Sequence, residues 1–255
     1  MTTIWISLAA AVLTLIFGII GLLLQKVLPE PHTSDRSLAM IGAIVGLFSL
    51  LLALVLGTLI GNSFAFYSTQ KSELETFASR MVQLDLALAE YGPETAPARV
   101  KMKSTLENIH EMFWGKDSSK FDPESLKVSA ALAHLRGMDE YIASLNPQTP
   151  AQRQFAAAAG VDASLIEQTR ILISLQLASP ISWPLLVVVI FWALILFCGF
   201  GLLSRLNATT IVALGFGAFA VGTAIFLILE LSEPFTGLFR LPPGAIEQML
   251  DVVGK

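Results

Sequence analysis

The sequence predicts an all-α membrane protein: four transmembrane helices, with a helical-bundle insert of about 100 residues between spans two and three. Three observations predict it. Only 14% of the 255 residues are charged and 54% are hydrophobic, whereas soluble domains carry about 25% charged residues; the mean hydropathy is +0.68. The charge is also segregated, with 25 of the 36 charged side chains lying between Lys71 and Arg170. Finally, four stretches contain no Asp, Glu, Lys or Arg: Met1–Gln25, Ser37–Gln70, Ile171–Ser204 and Leu206–Leu229. A helix needs about 20 apolar residues to cross the hydrocarbon core.

The first span is expected over about 4–24. It lacks a basic n-region and is too long for a usual h-region, so it reads as a retained helix rather than a signal peptide. Span two is expected over about 38–61 and completes a hairpin within 1–70. Its uncharged stretch has 34 residues, more than one crossing requires, and no Gly-Pro break separates Phe64 from Leu88. The surplus predicts a helix continuing from the membrane into the insert. Spans three and four are expected over about 181–203 and 210–229, within a second hairpin at 171–238. Ser179-Pro180 and Pro184 mark either a cap-and-proline start of span three or a kink. Residues 239–255 form a C-terminal tail.

The insert, 71–170, reads as about four helices. Leu74, Phe77, Met81, Leu84, Leu88 and Tyr91 recur at helical steps, and Gly92-Pro93 stops the run. Met102, Leu106, Ile109 and Phe113 form a second stripe, closed near Trp114-Gly115. Asp122-Pro123-Glu124 has the chemistry of a helix start, followed by Val128, Leu132, Leu135, Met138, Ile142 and Leu145. Asn146-Pro147 and Pro150 separate that helix from a last one running from about Gln152 towards Leu177.

Composition excludes several function classes. A net charge of −4 offers no basic footprint for nucleic acid. The one cysteine, Cys198, excludes an internal disulfide or a CxxC motif and reads as an apolar filler. Glu107 and His110 have a Glu-x-x-His spacing, but no second copy exists to build a di-iron site; His110 reads as a surface or hydrogen-bonded residue. Asp117, Asp122 and Glu124 read as an acidic loop with a helix cap, since they lack calcium-loop spacing. No phosphate loop, nucleophile elbow or zincin motif is present. The expectation is a protein that is not an enzyme and needs neither metal nor other cofactor.

Two groups of residues stand out. Gly42, Gly46, Ser49, Ala53, Gly57, Gly61 and Ala65 recur at steps of three or four along span two, with Asn62 beside them. In lipid such a face marks close backbone approach, so it either packs against a helix of the same or the next subunit or lines a narrow pathway. Span four carries a looser version in Gly215, Gly217, Ala218, Gly222 and Ala224. The second group is at the boundary: Glu230 and Glu233 end span four, with Pro234 and Gly237 forcing a turn. They form either a solvated interface, a vestibule, or a pair with Arg240 or Arg205. No ionisable residue sits mid-span, which lowers the ion-coupled transporter class but not a passive channel. Asn62, Ser63, Gln70 and Gln176 are the polar candidates near the insert side. Phe48, Phe64 and Phe66 fit either constrictions or core packing.

An even number of spans puts both termini and the insert on one side. Lys26, Arg36 and Arg205 in the short loops balance Lys71, Arg170 and Arg240 opposite, so the positive-inside rule does not choose the side.

Two blocks of sequence carry a resemblance. One runs from Leu74 to Pro93, with Leu84-Asp85 and Glu90-Tyr91-Gly92-Pro93-Glu94, followed by Ala98-Arg99. The other has Phe191-Trp192, Leu196-Phe197, Gly199-Phe200-Gly201 and Asn207-Ala208, then Phe226 through Glu230-Leu231 and Pro234-Phe235, Gly237. Together they resemble a bacterial family of four-span membrane proteins of unknown function, sometimes called bestrophin-like. The resemblance implies an oligomeric anion channel of the plasma membrane whose helices run on into a cytosolic helical region. The neck phenylalanines and acidic calcium cluster of bestrophins have no residue-by-residue counterpart here. The functional expectation is therefore a homo-oligomer in the lipid bilayer, channel-like and passing inorganic anions. The alternative is a non-transporting scaffold or sensor whose insert binds a protein partner.

Overall fold

The computed structural model describes residues 2–29, 35–115, 140–177, 183–235 and 237–254, and all regular structure among them is helical. The helices are α1 (Thr2–Val27), α2 (Asp35–Tyr91), α3 (Ala96–Trp114), α4 (Pro150–Leu177), α5 (Trp183–Leu203), α6 (Ala208–Leu231) and α7 (Gly244–Val252), with one 3₁₀ turn at Pro93–Thr95 and a helical turn at 140–144. Four of them, α1, α2, α5 and α6, are long and apolar enough to span a membrane. The cap and most of the third insert helix expected from Asp122 lie outside the described residues, as do Asp117 and the Ser179-Pro180 pair.

Local chemistry accounts for the helix ends. Helix α2 is unbroken over 57 residues, roughly 85 Å at 1.5 Å per residue against a hydrocarbon core of about 30 Å. A large part of it must therefore leave the bilayer. It stops where Gly92 adopts a φ of +142°, a conformation disfavoured for residues with a Cβ, and Pro93 supplies no amide donor. Helix α6 begins at Asn207, whose side-chain oxygen accepts the Thr210 N–H at 2.7 Å and so satisfies one of the orphan donors of the first turn.

The chain divides into two compact units: Met1–Tyr67 with Ile181–Arg240, and Ser68–Pro180 with Leu241–Lys255. Helix α2 contributes to both. In the first unit, α1 presents a face of small and hydroxyl residues: Thr3, Ser7, Ala10, Thr14, Gly18 and Gly21 are all buried. The hydroxyls of Ser7 and Thr14 donate to the carbonyls of Thr3 (2.8 Å) and Ala10 (2.7 Å) on their own helix. They therefore bring no unsatisfied polar atom into the interface. A Cβ on Gly21 would fall on the Cys198 carbonyl oxygen, and one on Gly201 on that of Gly18. Helices α1 and α5 are thus in backbone contact. Gly222 sits against Ser7 and Ala11, and Gly18 against Leu214, so α1 and α6 run antiparallel. Leu186, Val189, Ala193, Leu196, Phe197, Leu214, Ala218 and Ile225 fill the core, with Val45 and Leu52 as the buried apolar contributions of α2.

The second unit packs Phe77, Leu84 and Leu88 of α2 against Met102 and Leu106 of α3 and Ala159 and Ile166 of α4. Its core also includes Ile246, Met249 and Val253, from the segment that the sequence sets apart as a tail. That segment becomes helix α7. Its anchors are specific: the Trp114 indole N–H donates to the Leu241 carbonyl at 2.9 Å, and the Gly254 N–H donates to Asp85 at 3.1 Å.

Candidate functional site

Along α2, the small-residue face is open within its own chain. A Cβ added to Gly46, Gly57 or Gly61 would meet nothing within 4 Å, and one on Gly42 only the tip of Leu203 at 3.9 Å. Ala53, Asn62 and Ala65 are exposed, whereas Gly42 and Ser49 are partly buried. The Ser49 hydroxyl is engaged with the Val45 carbonyl at 2.8 Å. Close glycine packing inside the chain belongs instead to α1, α5 and α6. There Gly217 abuts the Phe197 ring and Gly199 abuts Val45. The α1 face, Thr3-Ser7-Ala10-Thr14-Gly18-Gly21, carries small and hydroxyl residues at helical steps in its sequence, as α2 does. Of the three phenylalanines, Phe48 packs edge-on against Trp192 with centroids 6.0 Å apart, Phe66 is partly buried and Phe64 is exposed.

The boundary residues do not form one cluster. Glu230 is 1% exposed. One of its carboxylate oxygens accepts the Thr3 hydroxyl at 2.7 Å and the other accepts the Leu238 N–H at 2.6 Å. This is how a carboxylate is kept at a span end without facing lipid: each oxygen has a donor. Neither donor was predicted, because Thr3 lies 227 positions away and Leu238 uses its backbone. Gly237, at φ +84°, makes the turn that aims the Leu238 amide inward. The neighbouring Ser232 donates to the Ile228 carbonyl at 2.6 Å and lies 3.3 Å from the Ser63 hydroxyl. The Tyr67 hydroxyl donates to the Arg240 carbonyl at 3.4 Å. Glu233 and Arg240 are exposed, on the same side of α6 as Glu230. Arg205 precedes the other end of α6, about 36 Å away along a 24-residue helix, so it cannot join Glu230.

In the second unit, Gln70 and Gln176 are hydrogen-bonded through their side-chain amides, and Gln70 is fully buried with its own carbonyl oxygen unpartnered. Asp85 receives both the Nε and an Nη of Arg99 at 2.8 Å. That bidentate contact pushes the Arg99 guanidinium above its ordinary value, against the effect of burial. Arg80 reaches Asp162 at 3.2 Å and Arg170 reaches Glu167 at 3.0 Å. His110 stacks on Trp114, with centroids 5.7 Å apart, and its Nε2 lies 3.7 Å from Glu247 of α7. Among the described residues, no group of three or more His, Cys, Asp or Glu side chains is placed to hold a metal.

Four apolar helices, a glycine-packed core of α1, α5 and α6, and a carboxylate sealed at the span ends define an all-α integral membrane protein. The Bestrophin-like domain family matches residues 11–246, nearly the whole chain, and the protein belongs to that family. No curated protein and no solved structure matches it.

Proposed function

We propose that the protein is an oligomeric channel of the bacterial plasma membrane that passes inorganic anions. In this reading the small-residue face of α2 bounds the pathway and the insert, in the cytosol, forms its vestibule or gate. One observation carries the proposal: Gly46, Gly57 and Gly61 have open space beside them along one face of α2, whereas Gly21 of α1 and Gly201 of α5 meet the backbone of a neighbouring helix; in α6 Gly215 is open too. Open beside Gly46, Gly57 and Gly61, a stripe of small residues suits a helix that approaches its copies about an axis. It leaves room there for a wetted passage whose lining is backbone and small hydroxyl groups. The absence of mid-span charge and membership of the family fit the same reading.

The test is chloride and cation flux from liposomes containing the purified oligomer. Flux is expected, and Gly57→Leu or Gly61→Leu should cut it several-fold while leaving the subunit fold intact, because a Cβ at either position meets no atom of its own subunit within 4 Å. Ion-tight vesicles containing well-folded oligomer would refute the channel and favour the scaffold.

A further inference from the structure

The turn that follows α6 exposes apolar side chains although its backbone is tied down. Leu238 is 73% exposed and Phe239 44%. A loose loop could bury or scatter such residues, but this one is pinned at its Leu238 N–H by Glu230 and at its Arg240 carbonyl by Tyr67. Glu230 is in turn fixed to α1 through Thr3. Gly237 gives the turn its shape: any Cβ there would strike the Glu230 carboxylate. The backbone bonds point into the protein, and the two apolar side chains are thereby held pointing out.

Depth follows from helix register. The antiparallel pairs Thr3/Glu230, Ser7/Gly222 and Gly18/Leu214 place the turn level with the start of α1. Helix α5 ends at Leu203 and α6 starts at Ala208, so α5 runs against α6 and with α1; with Gly201 beside Gly18, Trp183 at the start of α5 lies at that same level. Trp5 is 69% exposed there, Trp183 53% and, a few residues before Tyr67 on α2, Phe64 60%. A ring of exposed aromatic side chains at the ends of apolar spans is the mark of a headgroup-level belt. Leu238 and Phe239 extend that belt from helix ends onto a loop.

We propose that residues 237–239 form a membrane-interface anchor: Glu230 clamps the turn so that Leu238 and Phe239 lie in the headgroup–acyl boundary of the leaflet at the Thr3–Leu231 end of the spans. The partner is the lipid bilayer itself, recognised by apolar contact and not by headgroup charge. The anchor ties the end of α6 to a fixed depth just before the chain leaves for α7, and it does so whether or not ions pass.

The experiment uses the full-length protein in phosphatidylcholine vesicles, with Cys198→Ala to remove the one native thiol and a nitroxide on Leu238→Cys or, separately, on Phe239→Cys. Collision rates with oxygen, which partitions into lipid, and with a water-soluble nickel chelate are compared with those of a label on the exposed Ser72→Cys. Oxygen access should exceed nickel access several-fold at 238 and 239, with the reverse at 72. Adding Glu230→Ala should sharpen the 238 spectrum and raise nickel access several-fold as the turn comes free. Nickel access at 238 and 239 equal to that at 72 would overturn the proposal in favour of water. Shielding from both reagents would overturn it in favour of a second protein copy. A spectrum unmoved by Glu230→Ala would overturn the clamp.

Discussion

Removing the Asp85 carboxylate gives the sharpest test of how the insert is held. Its partner Arg99 keeps 17% side-chain exposure and Asp85 keeps 6%, so the pair is mostly but not wholly withdrawn from water. Breaking a fully buried pair costs about 3–5 kcal/mol, largely from the charge left behind, whereas an exposed pair contributes at most about 1 kcal/mol. The bidentate geometry and low exposure place Asp85→Ala near the upper range, at about 3 kcal/mol, part of it from the lost acceptor for Gly254. For a unit of about 130 residues this is a drop of about 10 °C in Tm. The assay is thermal unfolding of the full-length protein in detergent, followed by the fluorescence of Trp114, which lies in the same unit. Lys71→Ala is the control. It breaks only the exposed 3.8 Å pair with Glu75, and its Tm should stay within about 2 °C of the parent, as expected for a surface pair. If Asp85→Ala also stayed within that range, the claim that Asp85 fastens α3 and the chain end to α2 would fail. On the arginine side the contribution should not depend on pH. A cation whose folded pKa is raised loses its stabilisation only as pH rises through that raised value, which for Arg99 lies above the ordinary guanidinium range.

Gly21→Val should abolish assembly of the first unit, since the new Cβ would lie on a backbone oxygen of α5; Gly46→Val should leave monomer folding unchanged, and expression with size-exclusion profiles separates the two. Met249→Ala should cost about 2–4 kcal/mol, as for other buried large-to-small changes, and should make the insert unit more sensitive to trypsin; an unchanged digestion pattern would show that α7 is dispensable to it. Burial, with smaller contributions from Tyr91 and Glu94, pushes the Tyr141 phenol above its ordinary 10.0. The folded chain then holds that proton more tightly than the unfolded one, so the associated stability is intact below pH 10 and is lost as pH rises through the folded value. Tyr141→Phe should move alkaline unfolding, followed by circular dichroism, to higher pH.

Much of the fold was legible because lipid imposes a coarse requirement on sequence. A span must be an apolar run of a certain length, and the α1, α2, α5 and α6 runs announce themselves. The Gly92-Pro93 stop and the stripe from Leu74 to Tyr91 were equally plain, since both are local backbone and periodicity effects. The candidate site was less legible. Small residues at helical spacing predict close approach but not the partner, and α1 and α2 carry the same signal with opposite outcomes: Gly21 meets Cys198, while Gly57 meets nothing in its chain. The insert's use of α7 was hidden because Ile246, Met249 and Val253 form too short a stripe to distinguish a docked helix from a frayed end.

By itself the sequence determined the four apolar runs long enough to span a membrane and the continuity of α2, because each follows from local composition and from the geometry of one helix. Only the tertiary structure decided that Thr3 and Leu238 close over Glu230, that Asp85 gathers Arg99 and Gly254, and that the α2 face stays open. The physical reason is that a hydrogen bond or a backbone contact is a property of two surfaces. These pairs join positions as far apart as 227 residues, and no pattern along one helix specifies which distant surface will meet it.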